Sequence, residues 1–203
     1  MIRKDGLIGL PVDGVVVQHA MSIRHQRDAR YGNIFKEKET DIRYVGEIGE
    51  IMFDHYLRQF REDLTKWLVE GKVTSEPDFI FAGKRIGVKT VKRAVRMKRE
   101  YLAQITARHI DEPVDYFFFC CFETKSQELV LLGGIDVEVF KKHAVYCPEG
   151  TVIHQHYTIR ENHEIYQIGV SVLTLPDDLI RQILGKYVSH EEFDFKTGLP
   201  ASL

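Results

Sequence analysis

The stretch that decides the fold spans residues 76–90 and has the sequence EPDFIFAGKRIGVKT. Two short apolar runs flank residues 82–84, whose Ala-Gly-Lys composition is typical of a turn between antiparallel strands. The sequence therefore predicts a β-hairpin. Side chains alternate between the two faces of a strand, so Gly87 and Lys89 share one face, and the hairpin can place Asp78 beside them.

Upstream of the hairpin, the apolar side chains follow the period of an α-helix. They recur at spacings of three and four residues, at Val45, Ile48, Met52, Tyr56 and Phe60. We expect a helix from Asp41, its N-cap, to about Val69, with Gly71 as the stop. Glu47 and Glu50 are three residues apart and therefore occupy neighbouring positions on this helix.

The rest of the chain predicts further helices and buried strands. We expect a helix over 91–109, buried strands over 114–122 and 129–135, a short helix over 137–144, strands over 152–157, 165–168 and 170–173, and a helix from Pro176 to about Tyr187. The first 40 residues have no clean period and predict an arm or loop, with a short strand at 15–17.

These elements indicate one domain over residues 1–203, with an N-terminal arm at about 1–40 and extra strands and a helix at about 150–203. The order of helix, strands, helix and strands favours an α/β (α+β) fold, in which a mixed central β-sheet is flanked by helices.

Composition excludes several classes of protein. The chain has 203 residues, of which 44% are hydrophobic and 29% charged, which is typical of a globular protein and not of a disordered one. The three cysteines are an odd number without zinc-site spacing, so we interpret them as buried free thiols in a reducing compartment. No apolar run approaches the roughly 18 residues that span a bilayer, which predicts an intracellular, cytoplasmic protein without a membrane partner.

The hairpin and the helix together supply the residue types that phosphodiester hydrolysis needs. A hard cation such as Mg²⁺ is held by one or two carboxylates, water and phosphate oxygens, and it activates the attacking water. A nearby lysine orients or deprotonates that water and offsets phosphate charge. Asp78, Glu50 and Lys89 are the candidates for these roles.

A basic segment follows the first strand of the hairpin. Residues 84–108 contain nine Lys and Arg residues and a single acid, Glu100, although the formal net charge of the chain is −2. Such a bias predicts a phosphate-binding face, for which the candidates are Lys92, Arg93, Arg96 and Arg99. The alternative is a solvated helix face.

The hairpin with Asp78 and Lys89, together with the acidic helix before it, resembles the PD-(D/E)xK nucleases, a superfamily with a restriction-endonuclease-like core. The resemblance covers roughly residues 45–135, and the run 132–135 is similar to phage-encoded members. It implies Pro77-Asp78 and Lys89 as the motif, Glu50 or less readily Glu47 as the helix acid, and Gln104 as a further catalytic residue. It also implies Mg²⁺ (or Mn²⁺) held by Asp78, Glu50 and Val88, and a prokaryotic or phage-infected cell as the setting.

The chain departs from the family pattern at Gly87, where the pattern has an acid two residues before the lysine. Three explanations stay open. The acid has migrated, with Glu100 as the candidate and Glu76 behind it; or Glu50 and Asp78 suffice to hold the metal; or the site is degenerate and binds without cutting.

Three functions follow from these alternatives. The first is a Mg²⁺-dependent deoxyribonuclease. The second is a nuclease-fold protein that binds nucleic acid without cutting it, and the third is an unrelated α+β interaction protein in which Asp78 and Lys89 are surface residues. DNA is the expected partner, and the sequence leaves open RNA as substrate, endo or exo action, and a homodimer.

Overall fold

The computed structural model describes residues 2–32, 42–69, 76–154 and 157–197, without the side chains at 154 and from 188 onward. Four helices are present in these ranges: α1 (Gly14–Tyr31), α2 (Val45–Arg61), α3 (Val137–His143) and α4 (Pro176–Thr197). The strands are β1 (Ile8–Pro11), β2 (Thr65–Trp67), β3 (Phe79–Phe81), β4 (Lys84–Arg93), β5 (Leu102–Thr106), β6 (Tyr116–Glu123), β7 (Glu128–Asp136), β8 (Val145–Cys147), β9 (Val152–His154), β10 (Tyr157–Thr158) and β11 (Ile165–Gly169).

The centre of the fold is a six-stranded sheet with the strand order β1-β7-β6-β4-β3-β2. All neighbours are antiparallel except β4 and β6, which pair in parallel from Ile86–Tyr116 to Arg93–Glu123. The chain that connects this pair contains β5, which joins β11 and β8 in a three-stranded antiparallel sheet. The expected mixed sheet flanked by helices is thus observed.

The central strand β6 explains why the core has two layers. All eight of its residues are buried, and alternate side chains serve opposite faces of the sheet. Phe118 packs with α2 side chains such as Phe53, in a layer that also includes residues of α1 and α4. Phe117 and Phe119 contact Phe140 of α3, in a layer shared with β5 and β11.

The N-terminal arm predicted at 1–40 is wrong where the structure describes it. Residues 15–17 belong to helix α1 and not to a strand, because the Asp13 carboxylate accepts hydrogen bonds from the amides of Val15 and Val16 and caps the helix. Helix α1 then packs against α2. Residues 33–41, which include Asp41, lie outside the described residues, and α2 begins at Val45 with Tyr44 as its N-cap, later than the predicted start.

The helix predicted over 91–109 is also wrong. Strand β4 continues to Arg93 because its backbone pairs with β6, and residues 94–101 have no regular structure before β5 begins. Helix α2 ends at Arg61 and is followed by a 3-10 turn and β2, while the predicted stop Gly71 lies outside the described residues. The strand predicted at 170–173 is a 3-10 turn.

Other predictions match the structure. The hairpin, the two buried strands and α3 appear where the sequence indicates them, and α4 starts at Pro176 but extends to Thr197. Cys120, Cys121 and Cys147 are buried free thiols. Within the described part of the chain, no helix has the length and apolar character that a membrane span requires.

Candidate active site

A cleft of about 390 Å³ opens between α1, α2, the β3–β4 hairpin and β5. The structure brings together in its lining Glu50, Asp78, Val88, Lys89 and Gln104, all of which the sequence singled out. They come from α2, from the residue just before β3, from β4 and from β5.

The hairpin fixes Asp78 just before β3. Its carbonyl oxygen accepts a hydrogen bond from the Leu68 amide at 2.9 Å, and its Oδ2 accepts one from the Val88 amide at 2.6 Å. Desolvation of the carboxyl raises the pKa of Asp78 to about 7, against an opposing effect of Lys89 and with the support of negative charge on Glu50 and Glu112. Asp78 therefore lies where several ionisable groups act on one another.

Helix α2 approaches the hairpin closely because position 49 is glycine. A Cβ at Gly49 would lie 1.8 Å from Oγ1 of Thr90 on β4, so a larger residue would push the helix away. The next residue, Glu50, thereby reaches the cleft. Its side chain is 9% exposed and accepts hydrogen bonds from Arg27 at 2.8 and 2.7 Å and from Trp67 Nε1 at 3.1 Å.

Arginines of α1 complete this wall of the cleft. Arg27 also donates to the fully buried Glu47 at 2.9 Å, and Arg24 lies 3.2 Å from the same carboxylate. Desolvation nevertheless raises the pKa of Glu47. The sequence prediction missed both arginines because it treated this region as an arm; Asp13 as an N-cap was the signal for the helix.

Lys89 is paired with an acid that the sequence prediction did not consider. Its Nζ lies 2.6 Å from Oε2 of Glu112 and 5.9 Å from the centre of the Phe117 ring. The other oxygen of Glu112 contacts Nδ1 of His109. Desolvation alone would raise the pKa of Glu112, but His109 and Lys89 outweigh it and lower that pKa.

Gly87 and Glu112 are complementary in space. A Cβ at position 87 would lie 3.2 Å from Oε2 of Glu112 and 3.3 Å from Cγ1 of Val114. The carboxylate of Glu112 therefore occupies the space into which a side chain at position 87 would extend. In the sequence, the only sign that Glu112 belongs to the site is its position before Pro113, shortly before the buried strand β6.

The remaining candidates differ in position. Gln104 lies on β5, not on a helix, where its Oε1 accepts a hydrogen bond from Gln167 at 3.3 Å. Glu76 is exposed at the rim of the cleft. Glu100, the favoured migrated acid, is not brought to the cleft: its side chain is 70% exposed and lies 3.4 Å from Nζ of Lys98.

The basic segment lacks the helix on which its candidate residues were expected. Lys92 and Arg96 are exposed, whereas Arg93 stacks over the Tyr101 ring at 5.4 Å and Arg99 donates to the Ser171 carbonyl at 3.1 Å. These four cations thus occupy the end of β4 and the irregular stretch after it.

The donors in the cleft suit a hard divalent cation. Across the ranges that the structure describes, no three His, Cys, Asp or Glu side chains form a ready metal-binding group. Mg²⁺ in proteins often takes one or two carboxylates and completes its shell with water and phosphate oxygens. Asp78, Glu50 and Glu112 line the cleft with such carboxylates, of which Glu50 is paired with Arg27 and Glu112 with Lys89.

Comparison with models of known protein families and with curated protein sequences finds no match.

Proposed function

We propose that this chain is a Mg²⁺-dependent nuclease that hydrolyses phosphodiester bonds of DNA, with a restriction-endonuclease-like core. The observation that carries the proposal is the shared lining of one cleft by Asp78, Lys89 and Glu50, which come from the hairpin and from α2. A carboxylate and a lysine that act on each other in a solvent-accessible cleft are the residue types that this hydrolysis requires.

Asp78 and Lys89 have separate roles in this proposal. The bound metal supplies charge neutralisation at the phosphate and a water acidic enough to attack near neutral pH. Asp78 holds that cation, and its orientation is fixed by the Val88 amide. Lys89 faces the phosphate, where its ammonium group offsets negative charge that develops during hydrolysis.

The basic segment binds the rest of the substrate. Arg24 and Arg27 in the cleft are paired with Glu47 and Glu50, whereas Lys92 and Arg96 are exposed where β4 ends. Contacts of this kind are made mainly to phosphates, so they position a nucleic acid without selecting a base sequence.

Cleavage of DNA by the purified chain tests the proposal. We expect hydrolysis of a linear or plasmid substrate with Mg²⁺ or Mn²⁺ and none with excess EDTA. Asp78→Asn is expected to abolish cleavage, and Lys89→Met to slow it about 10²- to 10⁴-fold. Glu100→Gln, which alters a carboxylate outside the cleft, is the matched control and keeps full activity. Cleavage that survives Asp78→Asn and Lys89→Met would refute the assignment.

A second candidate function is nucleic-acid binding without cleavage. The observation that favours it is the double hydrogen bond from Arg27 to Glu50, which occupies the helix acid with an arginine. In that case DNA binds in EDTA with the same affinity as in Mg²⁺, and Asp78→Asn leaves that affinity unchanged.

A further inference from the structure

The crossover between β4 and β6 delivers a carboxylate into the cleft from outside the hairpin. Glu112 lies just before β6, and its backbone is fixed by a hydrogen bond from its amide to the His109 carbonyl at 3.3 Å and one from the Val114 amide to its own carbonyl at 2.8 Å. Its side chain is only 8% exposed. A glutamate held this deep in a cleft requires positive partners.

The partners of Glu112 in the structure are both ionisable and both belong to the cleft. Oε2 faces Lys89 at 2.6 Å and Oε1 faces His109, so the carboxylate stands between two groups that line the same space as Asp78. The negative charge of Glu112 also acts directly on Asp78. Asp78, Lys89 and Glu112 therefore lie in one cleft, close enough for their charges to act on one another.

Glu112 lies close to position 87, where the chain has no side chain. A Cβ there would lie 3.2 Å from Oε2, so even alanine would require the carboxylate to shift by a few tenths of an ångström, and a longer side chain would extend toward it. Gly87 of β4 therefore leaves space on its strand, and the carboxylate of Glu112, from the connection between β4 and β6, lies beside that space.

We infer that Glu112 and Asp78 together form a divalent-cation site beside Gly87, in which Glu112 provides the carboxylate that β4 itself lacks. The inference deepens the proposed nuclease function and rests on it for the purpose of the site. The ligands are all carboxylate oxygens, which select hard ions such as Mg²⁺ and Mn²⁺. On binding, Lys89 exchanges its contact with Glu112 for one with the phosphate of the substrate.

Direct binding of Mn²⁺ to the full chain tests this site without any nuclease assay. Titration followed by electron paramagnetic resonance of free Mn²⁺ should show one bound ion in the wild-type protein. Glu112→Gln preserves the shape of the side chain and one hydrogen-bond acceptor but removes the charge, so we expect its affinity to fall about tenfold or more. Glu100→Gln, the exposed control, should bind as the wild type does.

A double variant that removes the Glu112 carboxylate and places a carboxylate at position 87 distinguishes the loss of a metal ligand from damage to the fold. Glu112→Ala alone should bind Mn²⁺ weakly, and Glu112→Ala combined with Gly87→Glu should regain most of the affinity because the new side chain enters the vacated space. Gly87→Glu alone should bring no gain, since two carboxylates would crowd one site. Thermal unfolding of each variant checks that the chain is folded.

The outcomes for the site and for the nuclease function are distinguishable. Mn²⁺ affinity that is the same in Glu112→Gln and in the wild type, or no binding at millimolar Mn²⁺, would overturn the inference even if DNA is cleaved. Loss of affinity in Glu112→Gln with recovery in the double variant supports the site, including the case in which no DNA cleavage is found and the proposed function fails.

Discussion

The charged side chains of the cleft and those of the basic segment differ in burial and in pairing. In the cleft, Arg27 and Glu50 are mostly buried and matched by direct hydrogen bonds, whereas Lys92 and Arg96 beyond β4 are exposed to solvent. Buried charges must be paired, and removing one partner is costly; exposed charges are screened and contribute little to stability. Charge pairing therefore holds the cleft together, whereas the cations Lys92 and Arg96 of the basic segment are exposed to solvent.

The largest expected effect comes from breaking a pair inside the cleft. Arg27→Met leaves Glu47 and Glu50, which are 0% and 9% exposed, without the cation that they share. We expect the free energy of unfolding to fall by about 2–4 kcal/mol. Chemical denaturation of the variant measures this, and Arg96→Met, an exposed cation, should change stability by less than about 0.5 kcal/mol. Equal effects of the two substitutions would show that burial does not distinguish the two regions.

The second largest expected effect on stability comes from α2, the helix that lies against the β3–β4 hairpin. Gly49→Ala places a methyl group against Thr90, where the structure has no space for it. Overpacking of this type is expected to cost about 1–3 kcal/mol and to move Glu50 away from the hairpin. Gly46→Ala is the matched control on the same helix, since a Cβ there meets no neighbouring atom within 4 Å. A Gly49→Ala variant as stable as Gly46→Ala would contradict the close approach.

A third prediction uses the pH dependence of stability. The pKa of Asp78 is raised from its ordinary value of 3.8 to about 7, so the folded chain binds this proton more tightly than the unfolded chain does. The resulting stabilisation is complete below about pH 4 and is lost as the pH rises through about 7. Metal-free wild type should therefore lose stability relative to Asp78→Asn between about pH 5 and about pH 8. A constant difference across that interval would show that Asp78 does not titrate there.

The smallest expected effect is on the basic segment. Arg96→Glu combined with Arg99→Glu should weaken DNA binding several-fold and lower the slope of log affinity against log salt by about 2, because two phosphate contacts are lost. Stability should change little for Arg96, which is exposed. Arg160→Glu, an exposed arginine outside the segment, serves as the control. Identical salt slopes for all three proteins would remove the segment from the DNA-binding surface.

The hairpin and the buried strands were predictable because their signals are local. A turn composition at residues 82–84 and an unbroken apolar run in β6 indicate strands whatever the rest of the chain does. The prediction of a helix over 91–109 is wrong: Val95 and Leu102, which would share one apolar face of that helix, are exposed at 56% and 43%. Pairing of β4 with β6 determines the backbone there, and tertiary pairing overrides local preference.

Within the site, the residues that belong to the hairpin and α2 were identifiable and those that arrive from elsewhere were not. Asp78 and Lys89 are close in sequence, so strand parity relates them directly. Glu112 reaches Lys89 only because the parallel crossover returns the chain to that edge of β4. The proposed migration to Glu100 assumed a helix after β4, and the actual irregular backbone directs that side chain outward.

The parallel pairing of β4 with β6 also has a kinetic consequence. The hairpin of β3 and β4 can form locally, whereas Ile86 meets Tyr116 only after a long connection that includes β5 has closed. Closing such a connection costs chain entropy before any contact is gained, which makes pairings of this kind slow. During synthesis or refolding, Glu112 therefore reaches Lys89 late, and the cleft acquires its full set of charged groups only when the topology of the whole sheet is complete.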